Sequence, residues 1–367
     1  MYKIFGLFIV FLLIASCGGG GGGNGGCMTL DCRASKYNLF VADVDFTQPS
    51  PQASNIQIVA SSGFRDMTHP RVSPDKNWVA YTTYNITNSS GCASFDTGYV
   101  NTEIKATRLN GSATVSVVPV TNGALNSNSY WYGNSFEFSF LSGTPVAPKL
   151  YRAQTDATMR LIAGSIIEVT TPATITPYDP QAISNSQLVY GGQYNNNGIV
   201  KSIFLQTLNP PGTPVGLSLG RDSTGAILYG NDVMENDPKL SPDGSQVAFM
   251  RYAPNSVANG FGWRIFMVPV ASPLTEVNIS PSLGISLLLH DTLPEWVDNI
   301  TLVFSLIDVT ANPVARTIWA MQSNGSGRKQ VVLPAGYRYS DVFPFRDGFG
   351  NQKIVVSAEK ISAACTP

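Results

Sequence analysis

The sequence predicts an all-β fold, a six-bladed β-propeller. Two stretches are alike, HPRVSPDKNWVAY at residues 69–81 and DPKLSPDGSQVAF at residues 237–249. In each, a proline precedes a short alternation of apolar and polar residues, a Ser-Pro-Asp turn follows, and a second alternating run ends on an aromatic residue. This pattern is typical of two strands joined by a tight turn. Copies so similar and so far apart indicate a repeat protein.

The proline before the first strand marks further copies. It recurs about every 55 residues, apart from one interval of about twice that length. The long interval predicts a copy without proline near residue 128, where the aromatic-rich stretch 129–142 alternates as strand, turn and strand. Six copies result. The marker prolines are Pro70, Pro180, Pro238, Pro294 and Pro344.

Each copy continues into a third strand, in which an aliphatic residue is usually followed by an aromatic one, and then into a fourth. Fourth strands are predicted at residues 115–120, 159–164 and 329–334. Four antiparallel strands in a repeat of this length describe a propeller blade. The third-strand pairs are Ile104–Lys105, Leu150–Tyr151, Ile203–Phe204, Ile265–Phe266 and Ile318–Trp319.

The sixth copy is incomplete at its C-terminal end, where only one long strand remains, at residues 353–359. Two strands at the other end of the chain can complete it: residues 37–44, which carry the third-strand pair Leu39–Phe40, and residues 55–60. Closing the ring in this way removes exposed sheet edges. We therefore expect one propeller over residues 36–367, because a division into two domains leaves half a blade at each end.

The N-terminus has the features of an export signal. Residues 1–16 contain one basic residue, Lys3, before an apolar run at residues 4–14 that is shorter than the roughly 20 residues of a spanning helix. The following LIASC resembles the lipobox of bacterial lipoproteins, which implies that Cys17 is lipidated; the alternative is an ordinary signal peptide before a cysteine. Residues 17–35 then form a lipidated, Gly-rich tether. Gly18 after the cysteine implies the outer membrane, in either leaflet.

Four further cysteines suggest two disulfides, because an even number in an oxidising compartment is typical of paired cysteines. Three pairings are possible. If Phe40 pairs with Val355 or Val356 in the shared blade, antiparallel register brings Cys32 beside Cys365 and leaves Cys27 for Cys92. Four thiols on zinc would need closer spacing and a reducing compartment.

Composition argues against several functions. A net charge of −1 gives no field that would attract nucleic acid. Two histidines, His69 and His290, are too few for a multi-histidine metal site, and the chain has no Walker loop, Gly-x-Ser-x-Gly elbow or Cys-x-x-Cys pair. We therefore expect neither a metal nor a cofactor.

The repeats resemble the TolB-type, WD40-like propeller family. SPDGSQVAF at residues 241–249 and IWAMQSNGSGRKQVV at residues 318–332 carry the resemblance, which is strong in the first, fourth and fifth copies. It implies a six-bladed propeller that is a relative of the repeat and not TolB itself, since TolB has an α/β domain before its propeller and no lipid anchor. TolB's own partners are therefore not implied.

Acidic residues recur just before the marker prolines, some directly before and others three or four positions earlier. The loop that enters each first strand lies near the channel of a propeller, so we expect a polar, mostly acidic ring around one channel mouth. Such a ring could bind a cation or a peptide, or each carboxylate could cap its own turn. The predicted ring consists of Asp66, His69, Asp179, Glu235, Asp237, Asp291 and Asp341.

These features favour a lipid-anchored, monomeric module of the cell envelope that binds or scaffolds a protein or peptide without catalysis. The insertions at residues 85–100 and 258–264 are candidate partner surfaces, since loops on a rigid scaffold carry recognition. The alternative is a carbohydrate-active or other small-molecule enzyme, a lyase or hydrolase, with its site in the channel. His69 and His290 would supply its acid or base, and Trp131, Trp263 and Trp296 could stack on sugars.

Overall fold

The computed structural model describes residues 37–62, 65–85, 101–121, 124–144, 147–184, 186–194, 201–208, 210–218, 234–252, 262–280, 289–308, 310–311 and 314–360. These residues form 24 strands in six four-stranded sheets, arranged as the blades of a β-propeller. Within these ranges, no helix is long and apolar enough to cross a membrane. The predicted fold class is confirmed.

The strands follow one another blade by blade. The chain begins with β1 (Tyr37–Val44) and β2 (Ala53–Ser62). Blade 1 comprises β3 (Arg65–Val72), β4 (Trp78–Asn85), β5 (Glu103–Arg108) and β6 (Thr114–Val118); blade 2 comprises β7 (Leu125–Trp131), β8 (Glu137–Thr144), β9 (Ala147–Gln154) and β10 (Ile167–Glu168). Blade 3 comprises β11 (Ile175–Ser184), β12 (Gln187–Tyr194), β13 (Lys201–Thr207) and β14 (Val215–Gly216); blade 4 comprises β15 (Met234–Leu240), β16 (Gln246–Tyr252), β17 (Trp263–Pro269) and β18 (Val277–Asn278). Blade 5 comprises β19 (Leu289–Trp296), β20 (Thr301–Asp308), β21 (Ala315–Gln322) and β22 (Lys329–Gln330), and β23 (Tyr337–Arg346) and β24 (Gln352–Lys360) belong to blade 6.

Blade 6 joins the two ends of the chain, as predicted. Its strand order is β2-β1-β24-β23, and β1 is antiparallel to β24 with Phe40 opposite Val356. Leu39 packs in a cluster with Met67 of blade 1, whereas Phe40 packs in a cluster with Ile318 of blade 5. The two N-terminal strands therefore complete the sheet and also fill the packing against both neighbouring blades.

The third-strand aromatic residues stack on aromatic residues of the second strand. In blade 3, Tyr190 and Phe204 are directly opposite each other, and their ring centroids are 5.8 Å apart. In blade 4, Phe249 and Phe266 repeat the arrangement at 5.9 Å. Such pairs contribute about 0.5–1.5 kcal/mol beyond the area they bury, which gives the recurring aliphatic–aromatic pair a packing role.

The Ser-Pro-Asp turn is held by its own side chains. Ser241 Oγ donates a hydrogen bond of 2.6 Å to Asp243 Oδ1, and Ser73 Oγ donates one of the same length to Asp75 Oδ1. Gly244 adopts φ +75°, a left-handed conformation that glycine reaches without steric cost. The most recognisable motif of the sequence is thus architectural.

One predicted strand is wrong. The fourth strand of blade 2 is Ile167–Glu168 and not residues 159–164. Asp156 Oδ1 accepts hydrogen bonds from the backbone N–H groups of Thr158 and Arg160, and Met159 has φ +64°. These contacts turn the chain, since a short acidic side chain that binds nearby N–H groups competes with strand formation.

Several predictions fall outside the described residues. These include the signal peptide, the tether and every cysteine, so lipidation and disulfide pairing stay predictions. The cysteines concerned are Cys17, Cys27, Cys32, Cys92 and Cys365.

The role of β1 in the core can be measured. Leu39→Ala should lower the free energy of unfolding by about 2–5 kcal/mol, because Leu39 is 0% exposed and its loss leaves a cavity. Ile58→Ala, in the neighbouring strand β2, should change it by less than about 0.5 kcal/mol, because Ile58 is 49% exposed. Urea denaturation of both variants measures the difference. Equal, small losses would contradict the closure of the ring through β1.

Candidate functional site

Every first strand contains a β-bulge at the same place. In four blades the second residue of the bulge is the marker proline, which has no N–H to donate and is confined within sheets to edge strands, strand starts and bulges. This explains why the prolines recur. The bulges lie between Thr68 and Arg71, Ser127 and Tyr130, Tyr178 and Gln181, Asn236 and Lys239, Thr292 and Glu295, and Tyr339 and Val342.

The first bulge residue has a left-handed backbone in five of the six blades. Asparagine, aspartate and histidine adopt positive φ more readily than other residues with a side chain, so the bulge itself favours these types. Part of the predicted polar ring is therefore a requirement of the backbone. The residues are His69 (φ 52°), Asn128 (φ 56°), Asp179 (φ 44°), Asp237 (φ 53°) and Leu293 (φ 53°).

Blade 6 departs from the proline spacing. Pro344 pairs with Ile354 in the ladder, whereas the bulge lies at Ser340 and Asp341. In this blade the marker proline therefore lies three residues after the bulge. The proline spacing predicted that Asp341 is the equivalent of Glu235, and this prediction is wrong. Asp341 lies at the bulge itself, close enough for its charge to act on Arg71.

Three predicted ring residues meet in one small pocket. Its volume is about 10 Å³, which is room for about one water-sized group. His69, Asn128 and Asp179 are partly exposed, Asp237 is buried, and the residue after each of them is buried, so we assign the opening of the pocket to the face where the first strands begin and the second strands end. We call this the mouth face, and the opposite face, with the turns between first and second strands, the turn face. The polar residues that line the pocket include His69, Asn128, Ser129, Asp179, Asp237 and Lys239.

The carboxylates in the pocket bind side chains. Asn128 Nδ2 donates to Asp179 Oδ1, and Lys239 Nζ donates to Asp237 Oδ1. His69 Nδ1 lies 3.0 Å from Thr68 Oγ1. Side chains from blades 1 to 4 thus converge on a single polar pocket.

Asp179 is the perturbed acid of the pocket. Burial raises its pKa, and the negative charge of Asp237 raises it further. His69, Lys239 and Lys201 act in the opposite direction without cancelling the rise. Asp179 therefore keeps its proton to a higher pH than an exposed aspartate does.

Beneath the pocket, the residues that follow the bulges form a polar layer across the channel. Arg71 Nη2 of blade 1 lies 2.6 Å from Glu295 Oε1 of blade 5, which passes the intervening blade 6. Gln181 Nε2 donates to Tyr130 Oη at 2.8 Å, and the Arg71 guanidinium lies 4.8 Å from the centre of the Tyr130 ring. We call Arg71, Tyr130, Gln181, Lys239 and Glu295 the channel layer.

The channel layer contains a second perturbed acid. Burial raises the pKa of Glu295 to about 7, although the charges of Arg71 and Lys239 lower it. Lys239 Nζ lies 3.6 Å from Glu295 Oε1, so this carboxylate is close to two cations. Removing one member of such a buried charge network lowers stability strongly, because the remaining charge stays buried without its partner. The network therefore favours one arrangement of the blades.

Glu235 is bound inside blade 4. It is 0% exposed, and Arg251 Nε donates to its Oε1 at 2.8 Å. The same guanidinium pairs with Glu276 and lies 4.3 Å from the centre of the Phe266 ring. Glu235 therefore does not reach the pocket.

Asp291 is bound in the same way inside blade 5. Arg328 donates two parallel hydrogen bonds, from Nη1 to Oδ2 at 2.7 Å and from Nη2 to Oδ1 at 2.6 Å. The guanidinium lies 5.1 Å from the centre of the Trp319 ring, which is the counterpart of Phe266. Two of the predicted ring residues thus belong to repeated arginine–carboxylate pairs stacked on third-strand aromatics.

The remaining candidates lie elsewhere. The side chain of Asp66 is outside the described residues. The backbone N–H of Trp263 donates to His290 Nδ1 at 3.4 Å. Burial, followed by the charge of Arg264, lowers the pKa of His290 to about 4. Across the described ranges, no group of three or more His, Cys, Asp or Glu could hold a metal ion. The tryptophans proposed for stacking on sugars, Trp131, Trp263 and Trp296, are all buried in the packing of the blades.

The sequence analysis missed the channel layer. Its signal is the polar residue directly after a marker proline, as at Arg71, Gln181, Lys239 and Glu295. A polar residue in the innermost strand of a blade has to face either a partner or the channel. The spacing of the marker prolines therefore also locates four residues of the channel layer.

The pair in blade 5 predicts a large effect on stability. Asp291→Ala should lower the free energy of unfolding by about 3–5 kcal/mol, because it leaves Arg328 buried without its carboxylate. The matched control is Glu168→Ala, which removes a surface pair with Lys149 and should cost less than about 1 kcal/mol. Urea denaturation compares the two. If Asp291→Ala lowers the free energy of unfolding by less than about 1 kcal/mol, the Asp291–Arg328 pair does not contribute to stability as expected.

His290 predicts a pH dependence of stability. Its pKa is about 4 in the folded chain and 6.5 ordinarily, so its contribution is fully present above pH 6.5 and is lost as the pH falls through about 4. The difference in unfolding free energy between wild type and His290→Asn should change by about 2–3 kcal/mol from pH 7 to pH 4. Asparagine keeps an acceptor for the Trp263 N–H. Urea denaturation at each pH gives the two curves, and parallel curves would rule out a buried neutral histidine.

Comparison with known proteins establishes the fold and nothing finer. No family model matches the sequence, and no curated protein does. Among solved structures, TolB from Acinetobacter baumannii has 11% identity, with 90% of this chain and 65% of that chain covered and a TM-score of 0.53. A putative TolB from Agrobacterium tumefaciens has 14% identity, coverage of 88% and 98%, and a TM-score of 0.54. This chain thus spans about two thirds of the first of these proteins, and it shares the fold of TolB-type six-bladed propellers.

Proposed function

We propose that this protein is a non-catalytic binding or scaffolding module of the bacterial cell envelope. In this proposal a lipid on Cys17 anchors it to the outer membrane, and the mouth face engages a protein or peptide partner. The fold supports a rigid module, and the lipobox-like LIASC sequence supports the anchor. The Gly-rich residues 18–26 would give a flexible tether of roughly 15–18 Å.

The observation that carries the proposal is the channel layer. Arg71 and Glu295 pair across the channel beneath the mouth, and the pocket above them has a volume of about 10 Å³. Small-molecule sites usually have volumes of about 300–1,000 Å³. The mouth therefore suits a partner that lies on the surface and inserts one small group, and it does not suit a ligand enclosed in the channel.

The enzyme alternative has one observation in its favour. His69 and Asp179 line the same pocket, and these residue types serve as general acid and base. A sugar ring would not fit beside them, since the pocket has room for about one water-sized group. Turnover of a polysaccharide or oligosaccharide that is lost in His69→Ala would decide for the enzyme.

Site-directed photo-crosslinking in intact cells tests the proposal. A photoreactive residue at Thr144, exposed on the mouth face at the end of β8, should capture a partner protein. The matched position is Phe349 on the turn face, which is 94% exposed and should capture none. Cys17→Ser should abolish capture at Thr144 by releasing the protein from the membrane. Equal capture at both positions, or capture only at Phe349, would refute the role of the mouth face.

A further inference from the structure

Two buried polar atoms in the mouth pocket have no hydrogen-bond partner. Ser129 is 2% exposed, and its Oγ has no partner within the described residues. The Oδ1 of the neighbouring Asn128 is also buried and accepts no hydrogen bond there. Because buried polar groups in folded proteins are nearly always hydrogen-bonded, these two oxygens indicate a donor supplied from outside the chain.

Of the two carboxylates that line the pocket, Asp237 forms an ion pair and Asp179 forms none within the described residues, although the charges of Lys201 and Lys239 act on Asp179. Arg71 pairs with Glu295, and Lys239 pairs with both Asp237 and Glu295. Asp179 takes part in none of the ion pairs formed within the described ranges, and its hydrogen bond comes from the neutral amide of Asn128. The donor that fits is therefore a cation.

We propose that the mouth pocket binds one primary ammonium group through Asp179, Asn128 Oδ1 and Ser129 Oγ. The ammonium is that of a lysine side chain or of a free α-amino terminus. This inference rests on the proposed function, because the partner protein or peptide supplies the group.

Size and donor count select ammonium over other cations. An ammonium group has three donors on a compact head, which matches three oxygens in a pocket for one water-sized group. A guanidinium is a planar fork with five donors and exceeds that space. Calcium takes six to eight oxygen ligands, and the described residues hold no group of three or more metal-ligating side chains here.

Protonation gives the site a further signature. The raised pKa of Asp179 means that a bound ammonium has to displace a proton as the pH falls. The charged groups that face Asp179 are Asp237, His69, Lys239 and Lys201. Binding should therefore weaken at acid pH and release protons.

Titration calorimetry on the folded chain with small probes tests the assignment. Nα-acetyl-lysine amide represents the side chain, and glycine amide represents the α-amino terminus. We expect at least one to bind, with heat that depends on the ionisation enthalpy of the buffer. Asp179→Asn should weaken binding at least tenfold, and Ser129→Ala at least threefold. Asparagine tolerates the left-handed φ of 44° at position 179. Glu168→Gln, which removes an exposed carboxylate on blade 2, should bind as wild type does.

Four outcomes would overturn the inference: no binding of either amine, binding of Nα,Nε-diacetyl-lysine amide as tight as that of the amines, equally tight binding of Nα-acetyl-arginine amide, or binding of calcium chloride alone. These results separate from the proposed function. If a probe at Thr144 captures a partner and the amines do not bind, the proposed binding module is supported and the proposed ammonium site is wrong. If the amines bind and a probe at Thr144 captures nothing, the ammonium site is supported and the proposal that the mouth face binds a partner is wrong.

Discussion

The bulge in each first strand is the constraint on which the rest of the channel depends. Six innermost strands converge on one axis, and a regular ladder would direct their side chains only toward neighbouring blades. The extra residue bends the strand and turns one side chain toward the axis, as at Asp179 and Asp237. The next residue, such as Arg71 or Glu295, then crosses the channel. The mouth pocket and the layer beneath it are thus two consequences of one backbone feature.

The fold was largely predictable because its signals are local. Alternation, the Ser-Pro-Asp turn and the aliphatic–aromatic pair each depend on a few neighbouring residues, and closure of the ring followed from counting strands. The fourth strand of blade 2 was misplaced because Asp156 binds nearby N–H groups, a contact that competes with apolar patterning. In blade 6, Pro344 occupies a ladder position and not the bulge, so a marker that worked in four blades failed there.

The site was predictable only in part, for a physical reason. The bulge positions of His69, Asp179 and Asp237 could be found because the same backbone requirement recurs in each copy. The partners of those residues could not, since Arg71 and Glu295 meet across the ring and are separated by more than half of the chain. The repeat pattern of the sequence gives no information about contacts between blades 1 and 5. The spacing of the prolines also could not show that the carboxylate of Asp291 pairs with an arginine.

The acidic residues before the prolines therefore divide by their partners and not by their position. Glu235 and Asp291 each face an arginine that also stacks on a third-strand aromatic, so their charge is neutralised within one blade. Their role is structural, because removing either carboxylate leaves a buried cation. Asp179 instead accepts its hydrogen bond from the neutral amide of Asn128 and lies beside a second carboxylate, that of Asp237. Within the described residues Asp179 therefore differs from Glu235, Asp237 and Asp291, each of which pairs with a cationic side chain, and its carboxylate is the one in the pocket that a ligand can bind.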